Sequence, residues 1–246
     1  MKKMAWLTGI LTGLMVLLAA LGAVGVAVKN IAGDETFYAA QSRQAVMQEG
    51  GFASEAEVTA YIGLDEMQQQ AVAGGMAAYV TGGADALPEI LNENERQHMR
   101  DVRAIMASIA NMSRTCMTLA AALAVVTAWT GAKLKRRNLP RLIGGLAAVG
   151  LLTLAALLAA GALASGGFAQ MFTVMHELLF DNDLWLMNPE TDILIRMMPQ
   201  PLFEQALLSV VNRALRTFAL VWAMLLAVEW TVSGMIRRHL DKGERP

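Results

Sequence analysis

Residues Met4–Val28 run for 25 positions without a formal charge. About 20 apolar residues in a helix are enough to cross the ~30 Å hydrocarbon core of a bilayer. Lipid offers the backbone no hydrogen-bond partners, so such a stretch has to be helical wherever lipid surrounds it. Three further stretches come close to the same length. Thr115–Ala132 has 18 uncharged residues, Leu142 opens a run with no formal charge before Glu177, and Thr217–Ile236 is interrupted only by Glu229. Strand-type alternation is absent from the segments between them. The sequence therefore predicts an all-α chain: a four-transmembrane-helix bundle with a small helical extracytoplasmic domain between helices 1 and 2.

Charge gives the orientation. Residues 1–28 carry two cations and no anion, KLKRRNLPR at 133–141 carries five cations and no anion, and 235–246 carries four cations and two anions. Segments 29–114 and 165–216 together hold nine cations against eighteen anions. Cationic flanks stay on the cytoplasmic side, so a chain weaving in, out, in, out, in has both termini cytoplasmic. The expected division is helix 1 at 1–28, an extracytoplasmic helical segment at 29–111, helix 2 at 112–132 and a basic cytoplasmic loop at 133–141. Helix 3 at 142–164, a second extracytoplasmic segment at 165–211, helix 4 at 212–236 and a cytoplasmic tail at 237–246 complete it. The alternative for 1–28 is a cleaved signal peptide. Against it, the run is long for such a peptide and lacks a small-residue cleavage site.

Composition excludes other classes. The chain is 55% hydrophobic and 17% charged, against about 45–50% and about 25% in soluble domains. A single cysteine, Cys116, forms no internal disulfide, and a net charge of −1 gives no reason to expect nucleic acid.

In the first outer segment, turn glycines separate short helices: one around Phe37–Met47, one capped by Ser54 with Glu57 three residues on, and one starting near Asp65. Asn92 and Glu95 have capping-box spacing and open a helix that leads into the second span. Gly161, Gly166 and Gly167 offer one break in the long helices, and Asn111–Ser113 offers another.

Three histidines occur in all. His239 lies in the basic tail and reads as solvated. His98 precedes Lys133 by 35 residues, and His176 follows Arg141 by 35. An antiparallel hairpin around the basic loop would set the two imidazoles at similar height, both facing outward. Taken alone, His98 reads as structural, on a face with Val102, Ile105 and Ile109. His176 alone reads as an interfacial residue beside Phe172, Leu179 and Phe180. Two acid/base groups at one level, with carboxylates nearby, point instead to proton-transfer chemistry. Glu95 and Asp101, each three residues from His98, are placed to hold a ring nitrogen.

Other chemistries fit less well. His176-Glu177 begins like a zinc-protease helix, but position 180 is Phe, so the second histidine of that motif is missing. A three-ligand metal site would need both histidines and Asp181, Asp183 or Asp192. Ser165 lacks a nucleophile elbow, and Cys116 sits in a span. Trp185 reads as an outer-interface anchor, and Trp6, Trp129 and Trp230 as inner ones. Asp192 and Arg196, four apart, read as an exposed pair. Glu229, costly within a span, is expected to partner a cation of the basic loop.

Two segments carry a resemblance. NENERQHMRDVRA at 92–104 and MHELLFDNDLWLMNPETDILIRMMPQPLF at 175–203 resemble the two signatures of a family of small bacterial multi-pass proteins that includes the lipoprotein intramolecular transacylases. The second signature has the form His, aromatic pair, acidic turn, Trp, Pro, Asp, then Pro and Phe. Leu179 and Leu202 stand where that pattern has aromatic residues, and the first outer segment is longer.

What the resemblance implies is a membrane acyltransferase. The substrate would be a lipoprotein whose N-terminal cysteine carries a diacylglyceryl thioether, and the sn-2 acyl chain would move to the α-amino group to give the lyso form. The family's two histidines map onto His98 and His176. Glu95, Asp101, Asp181, Asp183, Trp185 and Asp192 would support them or position substrate. No cofactor or metal is implied, and the partners are the diacylated lipoprotein and membrane lipid. The place of action is the outer side of a bacterial cell membrane. The chemistry suits imidazoles on its own terms: an α-ammonium of pKa about 7.7–8.0 must be deprotonated, and a glycerol oxygen must be protonated as it leaves. Oxyanion donors are expected among the backbone N–H groups of Asp181–Trp185. The competing readings are a non-catalytic assembly or sensor subunit that binds a partner through its acidic outer domain, and a hydrolase or metal-dependent enzyme.

Overall fold

The computed structural model describes residues 2–133, 155 and 167–243. Among the described residues all regular structure is helical: α1 (Lys2–Ala32), α2 (Glu35–Gly50), α3 (Glu55–Ile62), α4 (Glu66–Thr81), α5 (Glu93–Lys133), α6 (Phe168–Leu179), α7 (Ile193–Met197) and α8 (Gln200–Gly243). Three of these are long and apolar enough to cross a membrane, over Trp6–Ala32, Glu93–Ala132 and Gln200–Ile236. Apart from Ala155, the expected third span at 142–164 lies outside the described residues, as do Ser165 and Gly166.

The chain divides into two compact units. One comprises Met1–Ala27, Asn111–Leu157 and Val211–Pro246, and the other Val28–Ala110 and Leu158–Val210. The first unit packs through small residues. Ala19 and Ala23 of α1 and Ala120, Ala124 and Ala128 of α5 are fully buried at four-residue spacing. Such stripes let helix backbones approach closely where no hydrophobic effect drives association. Met15, Phe218, Trp222 and Leu225 fill the remaining core. At Gly22 an added Cβ would stand 2.9 Å from the Met117 side chain. The Ser113 hydroxyl donates to the Gly22 carbonyl at 2.8 Å. That bond explains a correction: α5 passes through Asn111–Ser113 without a break, because the hydroxyl finds a partner on α1 instead of competing with its own backbone.

The second unit is a helical domain with a conventional apolar core, including Val58, Ile62, Met76, Met99 and Met197. Its helices start where the sequence provides caps. The Asp34 side chain accepts the Phe37 N–H and Ser54 accepts that of Glu57. Asp65 and Gln68 form a reciprocal capping box. Glu57 departs from the expected box, since its carboxylate takes the Ala53 N–H at 2.7 Å rather than that of Ser54. Gly63 and Gly82 end α3 and α4 at φ of 81° and 83°, a region that side-chain-bearing residues rarely adopt. The short α7 is part of this core: Ile193, Leu194 and Met197 are buried in it, and the Ser42 hydroxyl donates to the Met197 carbonyl at 2.7 Å. The last long helix starts earlier than hydropathy suggests, at Gln200 rather than 212. Pro201 falls in its first turn, where a missing N–H costs nothing.

Candidate active site

The site is built on the start of α5. Asn92 Oδ1 accepts the Glu95 N–H at 3.0 Å, and Glu95 Oε2 accepts the Asn92 N–H at 2.8 Å. This is the capping box the sequence announces. Its glutamate does more than cap. Glu95 is 1% exposed, and its Oε1 accepts the Leu194 N–H at 2.7 Å. One carboxylate thus accepts a backbone N–H from the start of α5 and another from the start of α7. The Glu95 oxygens are held by backbone, which corrects the expectation that this residue holds a His98 ring nitrogen. Asp101 is likewise engaged elsewhere: it accepts from Asn182 Nδ2 at 3.0 Å and from Gln97 Nε2 at 3.2 Å.

His98 lies between these two acids, one helical turn from each, and is buried. His176 lies near the end of α6 and is equally buried. The structure brings the two together: their ring centroids are 6.3 Å apart and their planes 20° from parallel. Aromatic rings enclose the pair. Phe172, one turn before His176, approaches it to 4.0 Å, and Trp185 lies 5.0 Å away. Phe180 touches both imidazoles, at 4.9 Å from His98 and 5.4 Å from His176. Phe203 backs Phe172 at 5.1 Å. The sequence signal for this cage is the four-residue spacing Phe172, His176, Phe180, which puts two rings on one face of α6 and the third at its C-terminal cap. The opposite face of α6 exposes Met171, Val174, Met175 and Leu178.

The two imidazoles differ in their hydrogen bonds. His176 Nδ1 lies 2.8 Å from the Phe172 carbonyl. A carbonyl only accepts, so Nδ1 carries the proton and the neutral ring presents its lone pair at Nε2. His98 Nδ1 is buried with no hydrogen-bond partner among the described residues. Buried polar atoms are nearly always paired, and the exceptions concentrate at functional positions. Both rings are held neutral at pH 7. Burial, then the proximity of His176, lowers the His98 pKa to about 4 against a partial upward pull from Asp101. Burial lowers that of His176, opposed by its bond to the Phe172 carbonyl.

The remaining predicted residues divide. Trp185 is half-buried on the His176 ring rather than free at an interface. Asp192 ties the loop together: its Oδ1 accepts from Asn92 Nδ2 at 2.8 Å and its Oδ2 from the Asn188 N–H at 2.7 Å. Those donors occupy the carboxylate, so the expected Asp192–Arg196 ion pair does not form. Arg196 bonds the Asp192 carbonyl at 3.3 Å and the Tyr61 carbonyl at 3.2 Å. Asp181 and Asp183 are exposed. Among the described residues no group of three histidine, cysteine or acidic side chains is arranged to hold a metal ion. Of the backbone donors expected for an oxyanion, that of Leu184 is taken by Asn182 Oδ1 at 3.1 Å. Asn182 is the residue the sequence reading missed. Cys116 is buried in α5 and His239 is exposed. Glu229 is buried in the first unit and takes the Thr127 hydroxyl; the loop cations from Lys135 on lie outside the described residues.

With this geometry in view, comparison with known proteins is decisive. A family model described as lipoprotein intramolecular transacylase Lit matches residues 13–203. The chain belongs to the lipoprotein intramolecular transacylase family. Both histidine-bearing segments fall within the matched range. The fold also resembles solved structures of the membrane integral Lit transacylase from Bacillus cereus. The TM-score is 0.69 at 18% identity, covering 91% of this chain and 96% of that one. Variants of that enzyme with one histidine replaced by arginine or by alanine each give 0.65 at 18% identity, covering 91% of this chain and 92% and 94% of theirs. No curated protein sequence matches the chain. Membership places the chain among enzymes, which sets aside the reading as a non-catalytic subunit.

Proposed function

We propose that this chain moves the sn-2 acyl chain of a diacylglyceryl-cysteine lipoprotein onto its N-terminal amine, using His98 and His176 as acid/base catalysts. The observation that carries the reading is the pair of buried neutral imidazoles 6.3 Å apart within the range matched by the family. His176 suits the role of base. Its Nδ1–H is committed to the Phe172 carbonyl, which leaves Nε2 free to take a proton from the α-ammonium and keeps the resulting imidazolium hydrogen-bonded. The freed amine attacks the sn-2 ester carbonyl, an amide C–N bond forms, the C–O bond to glycerol breaks, and the alkoxide takes a proton. The attacking nitrogen becomes cationic as the C–N bond forms and must lose a second proton; neutral His98 is suited to take that proton and deliver it to the alkoxide. Amine and ester belong to one molecule, so the enzyme needs no nucleophile of its own, and orientation supplies much of the acceleration. No cofactor enters the scheme.

The same reading places the chain in a bacterial cell membrane with four spans, the third being 142–164, and with both termini cytoplasmic. The histidine pair then lies on the extracytoplasmic side, where diacylated lipoproteins are anchored. Support comes from the segregation of cations into 1–28, 133–141 and 235–246 and from the length of α1, α5 and α8. Replacing either histidine and analysing lipoprotein N-termini by mass spectrometry tests the proposal. Unchanged formation of the lyso form in both variants would refute it.

A further inference from the structure

We infer that Asn182 and Asp101 are positioning residues: the hydrogen bond between them latches the segment 180–194 to α5 and thereby seats Phe180 and Trp185 against the two imidazoles. Three contacts fasten this segment. Glu95 holds the Leu194 N–H, Asn92 holds Asp192, and Asp101 holds Asn182. Glu95, His98 and Asp101 follow one another at three-residue intervals and so lie along one face of α5. The segment is therefore tied on both sides of His98, like a strap.

The two ends of the strap differ in kind. The Glu95 end is buried and uses backbone donors, so it is a permanent anchor. The Asp101–Asn182 bond is exposed, and water competes for both partners. Asn182 sits in sequence between two of the aromatics that touch the histidines, Phe180 and Trp185. Its amide serves two purposes at once: Nδ2 donates to Asp101, while Oδ1 accepts the Leu184 N–H and shapes the turn. An ionised aspartate at 182 would keep the turn but have nothing to donate, and it would face a second carboxylate.

That difference gives the test, on the full-length protein in detergent. Diethyl pyrocarbonate modification of His98 and His176 is followed by mass spectrometry, alongside turnover of a diacylated lipoprotein. Asn182→Asp should raise the modification rate of the pair about fivefold, the factor that loss of a ~1 kcal/mol hydrogen bond gives. It should lower kcat by a similar factor while KM stays put. Asp101→Asn retains an oxygen acceptor and should change modification less than twofold, given that neutral acceptors are the weaker ones. The double exchange Asp101→Asn/Asn182→Asp rebuilds the bond with its direction reversed and should restore both readouts, which a merely misfolded single variant would not allow. Modification unchanged in Asn182→Asp, or unrestored in the exchange, overturns the latch. The effect on kcat rests on the catalytic reading above; modification that follows the pattern while turnover does not would uphold the latch and refute that reading.

Discussion

The His176 Nδ1–H is bound to the Phe172 carbonyl one turn earlier on the same helix, at 2.8 Å, so the reactive nitrogen is chosen by backbone geometry. If Nε2 is the base, His176→Ala should lower lyso-lipoprotein formation by about 10²–10⁴-fold, the usual worth of a general acid or base. His98→Ala should do the same, and the double variant should cost little more than either alone. Quantitative mass spectrometry of lipoprotein N-termini checks this; multiplicative losses would show that the rings act independently.

Glu95 supports stability as well as geometry. Truncation to alanine leaves the buried Leu194 N–H and the part-buried Asn92 N–H without their acceptor, at about 1–3 kcal/mol for the buried donor and about 1 kcal/mol for the other. Glu95→Ala should therefore destabilise the protein by about 2–4 kcal/mol. Glu95→Gln turns an amide NH₂ toward one of the two donors and should lose about half as much. Thermal unfolding in detergent reads the order; a neutral Glu95→Ala would show that the carboxylate is dispensable.

The depressed histidine pKa values predict a pH dependence of stability. His98 titrates near pH 4 when folded and near its ordinary 6.5 when unfolded, so between those values the unfolded chain binds more protons. Stability then falls as pH drops from about 6.5 toward 4 and levels off below. His176, shifted in the same direction, adds to the effect. The wild-type protein should lose more of its unfolding temperature between pH 7 and pH 4 than His98→Gln does. Parallel curves for the two proteins would exclude the depressed pKa.

Topology is accessible to labelling. Cys116 is buried and gives little background. A cysteine introduced at Glu89 should react with a membrane-impermeant maleimide in intact cells, and one introduced at Asn138 only after permeabilisation. The reverse pattern would invert the proposed orientation.

Much of the fold was legible because its causes are local. Runs of uncharged residues mark the long helices, and Ser54, Asp65 and Asn92 mark starts through caps that act within four residues. The proximity of His98 and His176 was legible only through counting along two arms of a hairpin. What escaped were relations that depend on three-dimensional neighbours. Glu95 looked like a partner for the histidine one turn away, yet its oxygens go to Asn92 and to Leu194, which is near in space and remote in sequence. Asp192 and Arg196 have ion-pair spacing, but the amides of Asn92 and Asn188 reach the carboxylate first. Asn182 carries no motif; its importance comes from which helix its amide faces.

Glu95 also imposes an order on biosynthesis. Its carboxylate emerges from the ribosome long before Leu194, and until that residue arrives the acid lacks the backbone donor that compensates its burial. The first histidine-bearing helix can close its own cap through Asn92, but the other Glu95 oxygen waits for the last loop to be delivered. A nascent chain halted between the two residues would hold every atom of His98 and still possess no site.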